Sequence, residues 1–168
     1  FNIRQRKQHI RQQYIMRSMI FEIRGTHFQN KGAELMMAAI ADEVAERGHI
    51  PAVYPWSGAF PLRARYGLYQ LMWYQRYKIP WSKFPSPFPK RLRRQYGLIK
   101  PGEVDVILDA SGFKYSDQWG SSVIDQETDY LKRAKQKGKK IILMPQAFGP
   151  FENKKVAESF RQIYEIAD

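Results

Sequence analysis

Hydrophobic residues occur along this chain in two alternating patterns, short continuous runs and amphipathic stretches. The continuous runs predict strands, at 20–24, 50–54, 104–109 and 140–144. The amphipathic stretches predict helices, at 30–47, 122–138 and 152–167. Because apolar strands that alternate with helices pair in parallel and are covered on both sides, the sequence predicts an α/β fold. We expect a Rossmann-like open parallel sheet with helices on both faces.

The first predicted helix has clear end signals. Asn30 is a good N-cap, because its side-chain oxygen can accept from the free N–H groups of the first turn, and Gly48 is a natural stop. Within this helix the spacing of apolar residues predicts a buried face, made of Leu35, Met36, Ala39, Ile40 and Val44.

The segment 55–101 departs from the alternation. Prolines interrupt it repeatedly and aromatic residues crowd it, and we predict one helix at about 61–77 and a loop at 82–89. We interpret the segment as a basic, aromatic excursion at one edge of the sheet. No internal repeat is evident. The predicted organisation is a basic arm at 1–18, then one Rossmann-like domain at 19–168.

Positive charge is concentrated in the arm and the excursion. The chain has a formal net charge of +12, and residues 1–18 contain five Arg or Lys and no acid. No acidic residue lies between Glu46 and Glu103, whereas ten Arg or Lys lie between Arg63 and Lys100. This pattern indicates a local anionic partner. An anionic membrane surface and a self-packed lid with a solvated basic face both fit it, and single-stranded nucleic acid is the least favoured reading.

Three predicted strands run directly into glycine-containing turns, where an open parallel sheet binds its ligands. After the first strand, Asn30, Lys31 and Gly32 begin a helix and offer N–H groups and a positive charge to an anion, or are simply a capped helix with an incidental lysine. After the middle strand, Asp109 is a candidate base, beside a turn at Ser111 and Gly112, although both side chains can instead merely cap that turn.

The third turn, 145–150, brings a glutamine and a glycine to the same edge. The expected site lines this edge, with Asp109 as the catalytic residue and, as substrate-binding residues, Arg24, His27, Asn30, Lys31, Gly32, Ser111, Gly112, Gln146 and Gly149. A loop histidine such as His27 is more often a plain surface residue.

Composition excludes several classes of site. The chain has no cysteine, which rules out disulfides and thiolate metal sites, and no group of acidic and histidine residues has metal-ligand spacing. No apolar stretch is long enough to span a bilayer, and the basic start does not resemble a secretion signal. We therefore expect a cytoplasmic protein, peripheral at most to the inner membrane face, without metal or cofactor.

The ordered set of motifs resembles the polysaccharide pyruvyl transferase family over about 19–168. The segments that carry the resemblance are the helix start Asn30-Lys31-Gly32-Ala33-Glu34, the strand and turn at 105–112, the strand and turn at 141–151, and the Ile166-Ala167-Asp168 tail. The chain departs from the common pattern at Ala33, where many members have aspartate, and at Ala110-Ser111, where many have glycines.

This resemblance implies a two-domain GT-B-type transferase of exopolysaccharide biosynthesis, of which the chain would be the amino-terminal domain. Such enzymes transfer a pyruvyl group from phosphoenolpyruvate to a sugar hydroxyl of a surface glycan. Without the carboxy-terminal domain, the chain is expected to be inactive alone. Two other functions fit the same residues, a GT-B glycosyltransferase that uses a nucleotide sugar and a non-catalytic domain that binds nucleic acid.

Overall fold

The computed structural model describes residues 18–72, 75–76, 79–80 and 88–168 of the chain. Its main element is a six-stranded sheet in which every pair of neighbours runs parallel. In chain order the strands are β1 (Ile20–Arg24), β2 (Ile50–Val53), β3 (Tyr69–Leu71), β4 (Gln75–Arg76), β5 (Ile79–Pro80), β6 (Leu98–Ile99), β7 (Val106–Asp109) and β8 (Lys140–Leu143). Strands β4 and β5 form a separate antiparallel pair.

The order of strands in the sheet is β6-β3-β2-β1-β7-β8. The chain first adds strands on one side of β1 and then returns to add β7 and β8 on the other side. Neighbours β1 and β7, which pair Arg24 with Asp109, therefore lie where the direction of winding reverses. This is the doubly wound, Rossmann-like arrangement that the sequence predicts, and its ligand crevice is expected at that reversal.

Five α-helices occur in the described part of the chain: α1 (Lys31–Glu46), α2 (Phe60–Arg65), α3 (Lys90–Gln95), α4 (Ser121–Gln136) and α5 (Lys154–Ile166). One hydrophobic cluster packs α1 on one face of the sheet, and another packs α4 and α5 on the opposite face. The strands and helices predicted outside 55–101 are confirmed, with ends that differ by at most two residues.

The predicted buried face of α1 is partly wrong. Its buried residues are Met37, Ile40, Ala41 and Val44, whereas Leu35 is 72% exposed. Apolar residues surround the first half of this helix, so spacing alone did not determine which stripe faces the sheet. The observed stripe keeps the i, i+3, i+4, i+7 pattern, shifted by one position along the helix.

The helix predicted at 61–77 is wrong beyond Arg65. The helix ends there, and Tyr69–Leu71 then forms a strand of the main sheet. Gly67, with φ +62°, makes the sharp turn between them in a left-handed conformation that suits glycine. The loop predicted at 82–89 and the arm predicted at 1–18 lie almost wholly outside the described residues.

The segment 55–101 contains an internal repeat, contrary to our expectation. The pattern Leu-Arg-x-x-Tyr-Gly-Leu occurs at 62–68 and again at 92–98, 30 residues later. Each copy consists of a six-residue helix, a glycine with positive φ and a strand of the main sheet, and the two strands, β3 and β6, pair with each other. The repeat is not visible as a strand or helix period because the six-residue helix of each copy makes fewer than two helical turns.

The arginine of each copy is buried. Arg63 is 5% exposed and donates to the carbonyl oxygens of Pro55 and Gly58 and to the side chain of Gln70. Arg93 is 6% exposed and forms a two-pronged ion pair with Glu103, at 2.7 and 3.2 Å. A guanidinium with its donors in a fixed fork thus ties each short helix to the loop beside it.

Candidate functional site

The loops that follow β1 and β7 touch at the winding reversal. The N–H of Ala110 donates to the carbonyl oxygen of Arg24 at 3.0 Å, which continues the pairing of the two strands past their ends. Gly25 has φ +76°, and a Cβ there would overlap Ser111. Glycine is required at this position both for its backbone conformation and for the close approach of the two loops.

Asp109 organises the loop after β7. It is fully buried, and one of its carboxylate oxygens accepts from both the N–H and the hydroxyl of Ser111. The other oxygen accepts from the hydroxyl of Tyr115, which is also fully buried. Burial and the negative charge of Asp109 raise the pKa of Tyr115 well above its ordinary value, so the phenol stays protonated as the donor.

A buried charge network lies beside this loop, on the face of the sheet covered by α4. The guanidinium of Arg24 donates to both carboxylate oxygens of Glu127, at 2.7 and 3.0 Å, and to Glu22 at 2.9 Å. Glu22 is fully buried and Glu127 is 5% exposed. Lys114, from the loop after β7, donates to Glu127 as well. The network therefore connects β1, α4 and the Asp109 loop.

Arg24 and Glu127, at the centre of this network, each favour the charged form of the other. Burial disfavours a charged Arg24, but Glu127 and Glu22 outweigh it and raise the pKa of the guanidinium well above its ordinary value. Burial likewise acts against an ionised Glu127, but the charges of Arg24 and Lys114 lower its pKa. The pattern is typical of a carboxylate and a guanidinium that satisfy one another's hydrogen bonds in a poorly solvated site.

Two tyrosines complete the network. The hydroxyl of Tyr130 lies 2.8 and 2.7 Å from the two oxygens of Glu22, and the Arg24 guanidinium carbon lies 3.9 Å from the centre of the Tyr130 ring. Tyr54 lies 3.3 Å from Tyr130, hydroxyl to hydroxyl. Burial and the charge of Glu22 raise the pKa of Tyr54 to about 12. Arg24 is thus clamped between two carboxylates and an aromatic ring, and its orientation is fixed.

The loop after β8 braces the Asp109 loop. The amide of Gln146 donates to the carbonyl oxygen of Asp109 at 3.3 Å, while its side-chain oxygen is buried without a partner. Gly149 donates from its backbone to the carbonyl oxygen of Tyr115 at 2.8 Å, and Ala147 donates in the same way to Gly112. These bonds bring five of the predicted site residues into one connected unit, namely Asp109, Ser111, Gly112, Gln146 and Gly149.

The predicted residues at the start of α1 have their own contacts. The side-chain oxygen of Asn30 accepts from the N–H groups of Gly32 and Ala33, at 2.8 and 3.2 Å. Lys31 is 89% exposed and pairs with Glu34 at 2.7 Å. His27 is exposed in the loop that follows β1. The predicted N-cap is confirmed, and an anion that uses the N–H groups of Gly32 and Ala33 must displace the Asn30 side chain.

Three large aromatic side chains are exposed on the loops after β7 and β8. Phe113 and Trp119 are 48% and 46% exposed, with ring centres 5.6 Å apart, and Phe148 is 44% exposed. The carboxylate of Asp117 accepts from the N–H groups of Glu152 and Asn153, at 2.6 and 3.3 Å, which ties the Trp119 turn to the start of α5. The carboxyl edge of the sheet thus presents a polar centre with an aromatic rim.

Several residues of this site were not predicted from the sequence: Glu22, Tyr54, Lys114, Tyr115, Glu127 and Tyr130. One signal was available, because Glu22 is an acidic residue inside an apolar strand and shares its face with Arg24 two residues later. Such a pair predicts a buried ion pair. Nothing local marked Glu127 as its partner, because the acidic residues of an amphipathic helix are normally solvated.

Within the described ranges, no group of histidine, aspartate and glutamate side chains is arranged to hold a metal ion. None of the helices that the structure describes is long and apolar enough to cross a membrane.

The sequence matches the family model described as polysaccharide pyruvyl transferase over residues 30–167. The match begins after β1 and includes α1, the Asp109 loop, and the loop after β8. No curated protein and no solved structure matches the chain. The match spans most of the chain and contains the Asp109 loop, which is one of the two loops that meet at the winding reversal. The chain therefore belongs to the polysaccharide pyruvyl transferase family.

Proposed function

We propose that this domain belongs to an enzyme that transfers a pyruvyl group from phosphoenolpyruvate to two hydroxyls of one sugar in a surface glycan. The observation that carries the proposal is the Asp109 unit at the β1–β7 reversal, together with the family match. We place the reaction in the cytoplasm, in keeping with the cysteine-free composition.

The reaction sets clear requirements for the site. C2 of the donor forms bonds to two sugar oxygens and loses its bond to the phosphate oxygen, while C3 gains a proton and becomes a methyl group. The two sugar hydroxyls release two protons, of which one balances the proton at C3 and the other leaves with phosphate. Catalysis therefore needs a group that accepts a proton from a sugar hydroxyl. It also needs hydrogen-bond donors or cations that hold the carboxylate and the phosphate of phosphoenolpyruvate.

Asp109 and Ser111 fit the proton-accepting role together. Asp109 is buried, and the hydroxyl of the partly exposed Ser111 donates to it. A proton released by a sugar hydroxyl at Ser111 can pass to Asp109, while Tyr115 stabilises the carboxylate from behind. In this proposal Asp109 is the base and Ser111 contacts the acceptor.

Lys114 is the cation best placed to bind phosphoenolpyruvate. Its side chain is 25% exposed at the rim, and its contact with Glu127 fixes its position. The N–H groups of Arg24 donate to Glu22 and Glu127. The role of Arg24 is therefore to set the electrostatic potential of the site and the positions of these carboxylates. His27 and the Asn30-Lys31-Gly32 start of α1 would bind the second anionic group of the donor. The exposed pair Phe113 and Trp119 would stack against the acceptor ring.

A second domain of the GT-B type would complete the donor site, so we expect this domain alone to bind substrates weakly and not to turn over. The test uses the full-length protein. Phosphoenolpyruvate-dependent phosphate release in the presence of acceptor should fall about a hundredfold or more for Ser111→Ala, within the range that acid–base groups contribute. Ser122→Ala, an exposed serine at the start of α4, is the matched control and should retain full activity.

The competing function is a GT-B glycosyltransferase, because the same fold serves both chemistries. A thermal-shift titration separates the two. Specific binding at a hundredfold excess over the dissociation constant stabilises a protein by about 2.7 kcal/mol. Stabilisation by phosphoenolpyruvate, and not by nucleotide sugars, supports pyruvyl transfer. The opposite selectivity would move the protein to the glycosyltransferases.

A further inference from the structure

The surface around α3 combines exposed apolar side chains with positive charge. Phe88, Leu92 and Tyr96 are 56%, 36% and 67% exposed and are spaced four residues apart. Leu92 lies on α3, and Phe88 and Tyr96 flank the two ends of this helix. On α2, Phe60 and Leu62 are 66% and 39% exposed. Five large apolar side chains are thus exposed on α2, on α3 and at the two ends of α3.

The two copies form one continuous surface. Residues of both α2 and α3, among them Phe60, Arg63, Arg94 and Tyr96, line a cleft of about 400 Å³ between the helices. The strands that follow the helices pair directly, with Leu71 opposite Ile99. The exposed apolar side chains therefore belong to one rigid edge of the sheet.

Positive charge surrounds this apolar surface. Lys90, Arg91 and Arg94 line a second cleft, of about 610 Å³, at the amino-terminal ends of β1 and β7. Its two acidic residues are engaged: Asp105 accepts from the N–H of Ile20 at 2.9 Å, and Glu103 is paired with Arg93. Lys90 also lies 4.0 Å from Glu103. The three cations of the cleft together with Arg93 outnumber its two carboxylates, so the surface is net positive.

We propose that this α2–α3 surface, made of Phe60, Leu62, Phe88, Lys90, Arg91, Leu92, Arg94 and Tyr96, docks the protein on an anionic lipid bilayer. Leucine and aromatic side chains enter the boundary between headgroups and acyl chains, and flanking Lys and Arg side chains attract anionic headgroups. Charge complementarity favours a bilayer over a second copy of the chain, because two copies would oppose positive surfaces. Nucleic acid binding would engage the cations but would not account for exposed leucines.

This inference does not depend on pyruvyl transfer, because docking requires no substrate. The test is co-sedimentation of the full-length protein with vesicles of phosphatidylcholine alone and of phosphatidylcholine mixed with phosphatidylglycerol. We expect binding to the anionic vesicles only, and weaker binding as salt increases. Lys90→Gln/Arg91→Gln should lower the partition coefficient roughly fivefold for each charge removed. Leu92→Ser/Tyr96→Ser should lower it by at least a similar factor.

The matched control is Lys137→Gln/Lys154→Gln, which removes two exposed positive charges outside the α2–α3 surface and should leave the partition coefficient close to wild type. Thermal unfolding of each variant, monitored by circular dichroism, establishes that it is folded. Equal losses in the control and in the two test variants would overturn the proposal, since binding would then follow net charge alone. Binding of a single-stranded oligonucleotide through these residues, with no vesicle binding, would also overturn it. A wild-type dimer that becomes monomeric in the Leu92→Ser/Tyr96→Ser variant would overturn it as well.

Discussion

Glu127→Gln tests the buried charge network at its centre. Glu127 is 5% exposed, and its carboxylate accepts both a two-pronged hydrogen bond from Arg24 and a hydrogen bond from Lys114. Glutamine keeps the shape but removes the charge, and its amide places N–H donors against these cations. Removing one partner of a buried ion pair costs about 3–5 kcal/mol, because the other charge stays buried and is poorly compensated.

The structure places this variant near the lower end of that range. Glu22 still accepts from Arg24 at 2.9 Å, and one oxygen of the glutamine can accept as well. We therefore expect a loss of about 3 kcal/mol in the free energy of unfolding, which in a domain of this size lowers Tm by roughly 6–12 °C. The assay is urea unfolding at pH 7, followed by far-UV circular dichroism and checked by a thermal melt.

The control lies on the same helix. Asp129 pairs with Arg133 at 3.5 Å, and both side chains are largely exposed, so Asp129→Asn should cost no more than about 0.5 kcal/mol.

The pH dependence of stability provides a second test. Because the folded state lowers the pKa of Glu127, its stabilisation is present above the ordinary value of 4.5 and is lost as pH falls through the folded pKa. The difference in free energy of unfolding between wild type and Glu127→Gln should therefore become smaller as the pH is lowered. A loss below about 1 kcal/mol at pH 7, or a gap that widens in acid, would refute the reasoning.

Three further predictions concern the repeat and the loop contact. Arg63→Lys should cost about 2–3 kcal/mol in urea unfolding, because one ammonium cannot replace a buried fork that reaches three acceptors, whereas the exposed Arg65→Lys should be neutral. Glu103, whose pKa is lowered to about 2 because Arg93 and the Lys100 N–H outweigh its burial, should stabilise the fold above pH 4.5. The greater stability of wild type over Glu103→Gln should disappear as the pH falls from 4.5 to about 2. A stability difference that stays unchanged over this range would contradict the lowered pKa of Glu103. Gly25→Ala should cost more than about 2 kcal/mol, because it adds an overlap with Ser111 to an unfavourable φ. Gly48→Ala has a similar φ but open space and should cost only about 1 kcal/mol; equal costs would show that the loop contact is unimportant.

Much of the fold followed from local sequence signals. Strand runs such as 104–109 are apolar on both faces, which only a buried parallel strand requires, and Asn30 and Gly48 mark the ends of α1 by their own side-chain and backbone chemistry. The convergence of three turns on one edge followed from parallel pairing. These features depend on residues close together in the chain, and a single sequence contains that information.

The missed features depend on residues far apart in the chain. The partner of Arg24 is Glu127, 103 residues away, and no local pattern distinguishes Glu127 from the solvated acids of α4. The excursion was misread because its proline and aromatic content conceals two short strands, which form by pairing β6 with β3 and β3 with β2. The face of α1 was uncertain for a related reason, since only the sheet determines which of several apolar stripes is buried.

The two ends of the sheet have separate roles in these proposals, and the distance between them is set by the strands. The Asp109 unit lies where β1 and β7 end, whereas the basic cleft lies where they begin. Strands of four or five residues at about 3.3 Å each span roughly 15 Å. A domain whose basic cleft rests on the headgroups would hold the Asp109 unit that far above them. It would then act as a molecular ruler, favouring sugars well out along an anchored glycan over the sugar nearest the lipid.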